Sequence, residues 1–147
     1  MKQTRIVIAE DNGDVSRYVK SFLPGKGFTV FQSLYETVCR TYVQEKNIDL
    51  LLLVASYGAI CRALKAAERI RELDGTVPIV MAVENSTEAD VIAALRAGVN
   101  DFFKYPFEKE DLFRGIERCL SRKNFGKHPL LQQMKPDTQT GAQGLIG

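Results

Sequence analysis

Short apolar runs alternate with amphipathic stretches along most of this chain. Five runs of β-branched, aromatic and leucine residues predict strands at 5–9, 28–31, 49–54, 78–83 and 101–104. Between them, apolar residues recur at helical spacing, first at Val15, Val19 and Phe22 and later within 60–73, 86–97 and 109–122. The run 49–54 has no polar interruption after its first residue, which is typical of a strand buried on both faces.

Proline, glycine and capping residues predict where some of these helices begin and end. Pro24 and the glycine after it end the first predicted helix. Ser33 and Glu36 have the spacing of a capping box, so the second helix is predicted to begin at Ser33. Asn85 and Glu88 have the same spacing, which predicts the start of the fourth helix.

Strict alternation of strands and helices predicts a doubly wound α/β fold with a parallel sheet. In such folds the functional crevice lies at the carboxyl ends of the strands. The periodic pattern covers residues 1–123. Residues 124–147 are rich in glycine, proline and glutamine, and we interpret them as a linker or a disordered C-terminal tail.

Composition fits one compact domain of this kind. The chain has 147 residues, 45% of them apolar and 26% charged, with a formal net charge of +2. It has neither an apolar run of bilayer length nor a signal-peptide pattern, so we expect a cytoplasmic protein. Its modestly basic end lacks the dense stripe of a nucleic-acid surface. Three widely spaced cysteines, Cys39, Cys61 and Cys119, predict reduced thiols and no metal motif.

Four sequence blocks occur in order with fitting gaps: I-A-E-D-N at 8–12, I-D-L-L-L-L at 48–53, P-I-V-M at 78–81 and G-V-N-D-F-F at 98–103. Together, over residues 4–121, they resemble the receiver domain of two-component response regulators. The resemblance implies a CheY-like, flavodoxin-like sheet of five parallel strands in the order 2-1-3-4-5. It also implies a signalling domain of the cytoplasm.

The resemblance assigns a role to the acidic pair after the first strand and to the residue that ends the third strand. In the family the pair binds a divalent cation, and here it is Glu10 and Asp11. The family's aspartate phosphoacceptor falls on Val54. Valine has neither a nucleophilic oxygen nor a ligand for a hard cation, so phosphoryl transfer at this position is excluded chemically.

Three further positions of the family's phosphate pocket are changed. The hydroxyl residue that ends the fourth strand falls on Val83, the small residue after it on Glu84, and the lysine that ends the fifth strand on Tyr105. A carboxylate at Glu84 would repel a phosphate by roughly 3 kcal/mol at about 5 Å and an effective dielectric constant of about 20. Lys104 lies one residue early, on the opposite face of the sheet unless a bulge intervenes. We expect Val54 and Val83 to fill the former pocket.

Two features of the fifth strand follow from the same resemblance. Phe102 falls on the family's aromatic switch position, and it either packs as an ordinary aromatic of an edge strand or, with Lys104, marks a partner-binding face. The family's lysine-proline peptide bond is cis, and we expect the bond between Tyr105 and Pro106 to be cis as well.

The acidic pair allows two interpretations. Glu10 and Asp11 could form a solvated loop whose charge favours the start of a helix, or they could be a vestigial metal site with weak Mg²⁺ occupancy. No cofactor is required under either interpretation.

Our preferred hypothesis is a degenerate receiver that is independent of phosphorylation and catalyses no reaction. It would act by contacting a protein partner or a second copy of itself through the fourth helix, fifth strand and fifth helix. The segment 144–147 is similar to the lead-in to the ATPase domain of sigma-54-dependent enhancer-binding activators. The chain would then be the input domain of a larger transcription regulator, and DNA binding would belong to another part of that protein.

Two alternatives remain open from the sequence. The crevice could bind a cation or a small ligand through Glu10, Asp11 and Glu84. Alternatively, phosphorylation could occur at a non-standard residue, for which Ser56 and Tyr57 are the nearby hydroxyls.

Overall fold

A computed structural model describes residues 3–123, and within that range five strands alternate with five α-helices. The strands are β1 (Arg5–Ala9), β2 (Thr29–Ser33), β3 (Leu50–Ala55), β4 (Ile79–Glu84) and β5 (Asp101–Tyr105). The helices are α1 (Asp14–Phe22), α2 (Val38–Gln44), α3 (Ile60–Leu73), α4 (Glu88–Arg96) and α5 (Lys109–Lys123). Within the described part of the chain, every helix is too short or too polar to span a bilayer. The predicted tail, 124–147, lies outside the described residues.

All strands pair in parallel, in the order β2-β1-β3-β4-β5. This arrangement confirms the predicted doubly wound fold and its strand order. Ile8 of β1 lies opposite Leu52 of β3, which lies opposite Val80 of β4. The carboxyl ends of the three central strands therefore meet at one edge of the sheet, where the loops to α1, α3 and α4 begin.

Side chains of the central strands alternate between two apolar layers, because successive residues of a strand point to opposite faces. In β3 all six residues are buried. Leu51 and Leu53 belong to the core cluster shared with α2, α3 and α4, whereas Leu50, Leu52 and Val54 belong to the cluster shared with α1 and α5. Burial on both faces explains the uninterrupted apolar run in the sequence.

The prediction that the second helix begins at Ser33 is wrong. Ser33 still pairs with Ala9 in the β1–β2 ladder, and its hydroxyl donates to the carbonyl of Leu34. A short 3₁₀ turn, Tyr35–Thr37, follows and buries the Tyr35 ring before α2 begins at Val38. Continuation of strand pairing therefore overrides the capping signal.

The capping box predicted at Asn85 and Glu88 is also wrong, by two residues. The Thr87 hydroxyl accepts from the Asp90 N–H at 3.2 Å, and the Asp90 carboxylate accepts from the Thr87 N–H at 2.9 Å. Asn85 has a φ of 61°, in the left-handed region that asparagine tolerates better than most residues. That turn delays the helix until Thr87 is in position to cap it.

A polar junction around Asp74 joins the end of α3 to neighbouring elements. Tyr42 of α2 donates to the Asp74 carboxylate, which also accepts from the Thr76 N–H at 2.7 Å. Arg71 donates to the Gly98 carbonyl at 3.0 Å and to the Asn100 side chain at 2.8 Å. Burial alone would raise the pKa of Asp74, but the hydrogen bonds that its carboxylate accepts from Tyr42, Thr76 and Val77 lower the pKa from 3.8 to about 2.

We therefore expect acid to weaken the fold through this junction. A carboxyl whose pKa is lower in the folded state stabilises the protein above pH 4, and this contribution is lost as the pH falls from about 4 to about 2. Urea unfolding at about pH 6 and about pH 2.5 should show an acid loss that is about 1 kcal/mol smaller in Asp74→Asn than in the wild type, after allowance for the group's partial exposure. The exposed Asp14→Asn is the control. An equal acid loss in wild type and Asp74→Asn would contradict the assignment.

Candidate functional site at the carboxyl ends of the strands

Val54 lies in the penultimate position of β3 and is 0% exposed. It faces Ala82 of β4 across the ladder and belongs to the α1/α5-side core with Leu52 and Val80. The hydroxyl of the buried Tyr35 donates to the Val54 carbonyl oxygen. Position 54 therefore offers no side-chain oxygen, and its backbone acceptor is already engaged.

Val83, the other apolar replacement, is also 0% exposed but belongs to the core on the α2–α4 side. It pairs with Ala55 of β3 and with Lys104 of β5. The two valines therefore do not share one pocket. Each instead fills the apolar layer on its own side of the sheet.

The carboxylate of Asp11 is enclosed by donors from three segments. Its Oδ2 accepts from the Ser56 N–H at 2.9 Å, in the loop after β3. Its Oδ1 accepts from the Ser56 hydroxyl at 3.3 Å, the Gly13 N–H at 3.2 Å and the Ser16 hydroxyl of α1 at 3.4 Å. Both oxygens are thus engaged by the protein itself.

Gly13 makes this arrangement possible. A Cβ atom at position 13 would overlap with the Oγ and Cβ atoms of Ser56. The loop after β3 approaches the β1–α1 loop closely only because residue 13 has no side chain.

Glu84, at the end of β4, turns its carboxylate toward the same loop. Its Oε1 accepts from the Tyr57 N–H at 3.2 Å. Consecutive backbone N–H groups, those of Ser56 and Tyr57, are therefore both bound to internal carboxylates. An external phosphate would have to displace Asp11 or Glu84 to reach either donor.

Glu10 has a partner that sequence reasoning missed. Its side chain is 8% exposed, and its Oε2 lies 2.8 Å from the Nζ of Lys20 in α1. A signal was present, because Ser16 and Lys20 are four residues apart and therefore lie on one face of the helix. Ser16 and Lys20 turn toward the acidic loop and contact Asp11 and Glu10, respectively.

Tyr105 packs into an aromatic cluster at the end of β5. Its ring centroid lies 5.6 Å from that of Tyr18 in α1 and 6.1 Å from that of Phe107, both in edge-to-face geometry. The Tyr18 hydroxyl donates to the Phe107 carbonyl at 2.8 Å. The peptide bond between Tyr105 and Pro106 is cis. An aromatic ring thus stands where the family resemblance expects a cationic side chain.

Lys104 and Phe102 lie on the face of β5 opposite to Tyr105. The β4–β5 register runs from Asp101 to Tyr105 without a bulge, so Lys104 does not take the position of Tyr105. Phe102 is half-buried against the α2–α4-side core, and Lys104 is exposed.

Comparison with known proteins assigns the family. The family model of the response regulator receiver domain matches residues 6–117. The chain belongs to the response regulator receiver domain family.

TctD of Salmonella typhimurium, a transcriptional regulatory protein, is 25% identical over 130 residues, which are 88% of this chain and 57% of TctD. MtrA of Mycobacterium tuberculosis, a DNA-binding response regulator, is 28% identical over 123 residues, covering 80% of this receiver chain and 51% of MtrA. The chain spans about half the length of these curated relatives.

Solved receiver structures have the same fold. The solved receiver domain of TorR, the response regulator of the TMAO respiratory system, is 27% identical to this chain, with a TM-score of 0.67. The likeness covers 81% of this chain and 98% of the solved TorR receiver chain. NtrX from Brucella abortus, crystallised with ADP, is 20% identical to this chain, with a TM-score of 0.72. The likeness covers 84% of this chain and 28% of the NtrX chain. The NtrX likeness concerns the fold alone.

Metal binding by this receiver domain would depend on which carboxylates are available in the crevice at the carboxyl ends of the strands. Across residues 3–123, no three histidine, cysteine or acidic side chains are grouped so as to hold a metal ion. Glu10 is paired with Lys20, and Asp11 with Ser56. Weak Mg²⁺ occupancy at Glu10 and Asp11 stays a prediction.

Restoring an acidic residue at position 54 should destabilise this receiver domain. Val54→Ala should cost roughly 2 kcal/mol in the free energy of unfolding because it removes buried methyl groups. Val54→Asp should cost roughly 3–5 kcal/mol at about pH 8, because it also buries an unpaired carboxylate. Burial raises the pKa of the introduced carboxyl, so the extra cost should shrink at about pH 5, where the neutral form becomes populated. The two variants are compared by urea unfolding at both pH values. Equal stability of both variants at each pH would show that position 54 opens to solvent.

Proposed function

We propose that this receiver domain transmits a signal through protein contacts, without catalysing a reaction and without phosphorylation at the end of β3. The observation that carries the proposal is the buried Val54 at the phosphoacceptor position. A hydrocarbon side chain there cannot accept a phosphoryl group. The conformation of the domain is then set by its own contacts or by a partner.

The donors around Val54 support the same proposal. Phosphate binding relies on N–H and cationic donors that are free to turn toward the anion. Here the Ser56 and Tyr57 N–H groups are bound to Asp11 and Glu84, and Tyr105 replaces the family's lysine. The crevice already contains its own anions, so its resting arrangement disfavours phosphate.

A partner would contact the surface of α4, β5 and α5. On α4, Ile92 is 49% exposed and Leu95 is 39% exposed, and their spacing of three residues places both side chains on one face of the helix. Lys104 adds a charge at the edge strand, next to the half-buried Phe102. These features fit a protein partner or a second copy of the chain.

The proposal includes a larger regulator. TctD and MtrA are described as a transcriptional regulatory protein and a DNA-binding response regulator, and this chain matches about half of each. By that analogy the receiver is the input part of a transcription regulator, and DNA would be bound elsewhere in it. The link to sigma-54-dependent activators rests on residues 144–147, which lie outside the described residues.

The contacts disfavour the first alternative from the sequence, a cation or small ligand in the crevice. Asp11 and Glu84 accept hydrogen bonds from Ser56 and Tyr57, so a cation or small ligand would have to break these bonds. The second alternative is phosphorylation at a non-standard residue. The Ser56 hydroxyl donates to Asp11 at 3.3 Å, so a carboxylate that can accept its proton lies beside it, and experiment decides whether Ser56 is phosphorylated.

Treatment with acetyl phosphate and Mg²⁺ tests the proposal directly. Intact-mass measurement of the 147-residue chain should show no added phosphoryl group, because position 54 has no oxygen nucleophile. Amide spectra recorded with beryllofluoride, a phosphoryl mimic, should stay unchanged at Ser56, Tyr57 and Glu84.

A receiver domain that keeps the aspartate, treated in parallel, is the positive control. A stoichiometric phosphoryl group on this chain would overturn the proposal. Fragment masses would then distinguish Ser56 from Tyr57 as the acceptor.

A further inference from the structure

The ion pair between Lys20 and Glu10 is set into the crevice. The Lys20 Nζ lies 2.8 Å from Glu10 Oε2 and 3.4 Å from the Asn12 side-chain oxygen. The Lys20 side chain is 22% exposed and that of Glu10 is 8% exposed. Most surface ion pairs contribute little because water screens both charges, but this pair is largely withdrawn from water.

The surrounding loop is organised around the same ammonium. The Asn12 N–H donates to Glu10 Oε1 at 3.1 Å, so both Glu10 oxygens have donors from the protein. Asn12 has a φ of 60°, which brings its side-chain oxygen and that of Glu10 toward one cation. Lys20 therefore closes the turn between β1 and α1.

We infer that the Lys20 ammonium is the resident counter-ion of Glu10, where the family resemblance expects a divalent cation, and that a divalent cation must displace it to bind at Glu10. The donor set agrees with this assignment. The position that would supply a third carboxylate is Val54, and Asp11 is engaged by Ser56 and Gly13.

Charge makes the two occupants exclusive. A divalent cation at Glu10 would lie within a few ångströms of the Lys20 ammonium, where like charges repel strongly in a partly buried site. If a divalent cation displaced Lys20, the ammonium would lose its carboxylate partner. The cation would bind in a turn whose Glu10 and Asn12 oxygens are arranged around a monovalent ammonium. The inference goes beyond the proposed function, because it concerns metal dependence and holds whether or not any residue is phosphorylated.

Mn²⁺ binding to Lys20→Met tests the inference. Free Mn²⁺ is measured by electron paramagnetic resonance in titrations of wild type, Lys20→Met and the exposed control Lys65→Met. We expect the wild type to bind at millimolar concentration or more weakly. Lys20→Met should bind at least tenfold more tightly, because it frees the Oε2 atom of Glu10 and removes the competing charge. Lys65→Met should match the wild type, which excludes a general effect of net charge.

A purely structural ion pair would change stability without changing metal affinity. If Lys20→Met binds Mn²⁺ no more tightly than Lys65→Met, the inference is overturned. Lys20→Gln keeps a polar tip that can reach Glu10, so it serves if the methionine variant fails to fold, with the same tenfold gain expected. Lys20→Arg keeps the charge and should stay within about twofold of the wild type. A tenfold gain with arginine would also overturn the inference.

Discussion

The carboxylate of Asp11 ties the loop after β3, at Ser56, to the β1–α1 loop and the first turn of α1, and Ser56 is 45 residues away from Asp11 in the sequence. It does so by accepting from Gly13, Ser16 and Ser56. Hydrogen bonds to a charged acceptor contribute about 1.5–3 kcal/mol each, and a half-buried carboxylate left without them would be strongly disfavoured. The shape of the crevice depends on this one group. For Asp11 to accept these hydrogen bonds, the loop after β3 must approach Gly13 closely and must present the Ser56 N–H and hydroxyl to the carboxylate.

Around that centre, each remaining acid of the crevice has its own donor. Glu10 is matched by Lys20 and Glu84 by the Tyr57 N–H. The consecutive N–H groups of Ser56 and Tyr57 are thus both bound to carboxylates of the same crevice. Val54 and Val83 each fill one of the two apolar layers of the sheet, on opposite sides.

The fold could be read from the sequence because buried parallel strands impose uninterrupted apolar runs, as in β3, whose six residues are all inaccessible to solvent. The start of α4 could not, because Asn85 and Thr87 are both good caps and the left-handed backbone at Asn85 decides between them. Position 54 could be matched to the family's phosphoacceptor because the block at 48–53 directly before it resembles the family's sequence. Lys20 could not be matched to Glu10 with certainty, since that pair depends on how α1 is rotated relative to the preceding loop.

The edge-to-face contact of Tyr105 with Tyr18 has an optical consequence. The chain contains no tryptophan and only five tyrosines, so tyrosine emission is not masked. Two of those fluorophores lie with ring centroids 5.6 Å apart, one on β5 and the other on α1. Any partner that separates the strand from the helix alters the environment of both rings, and the native chain thereby contains a label-free spectroscopic reporter of movement at its crevice.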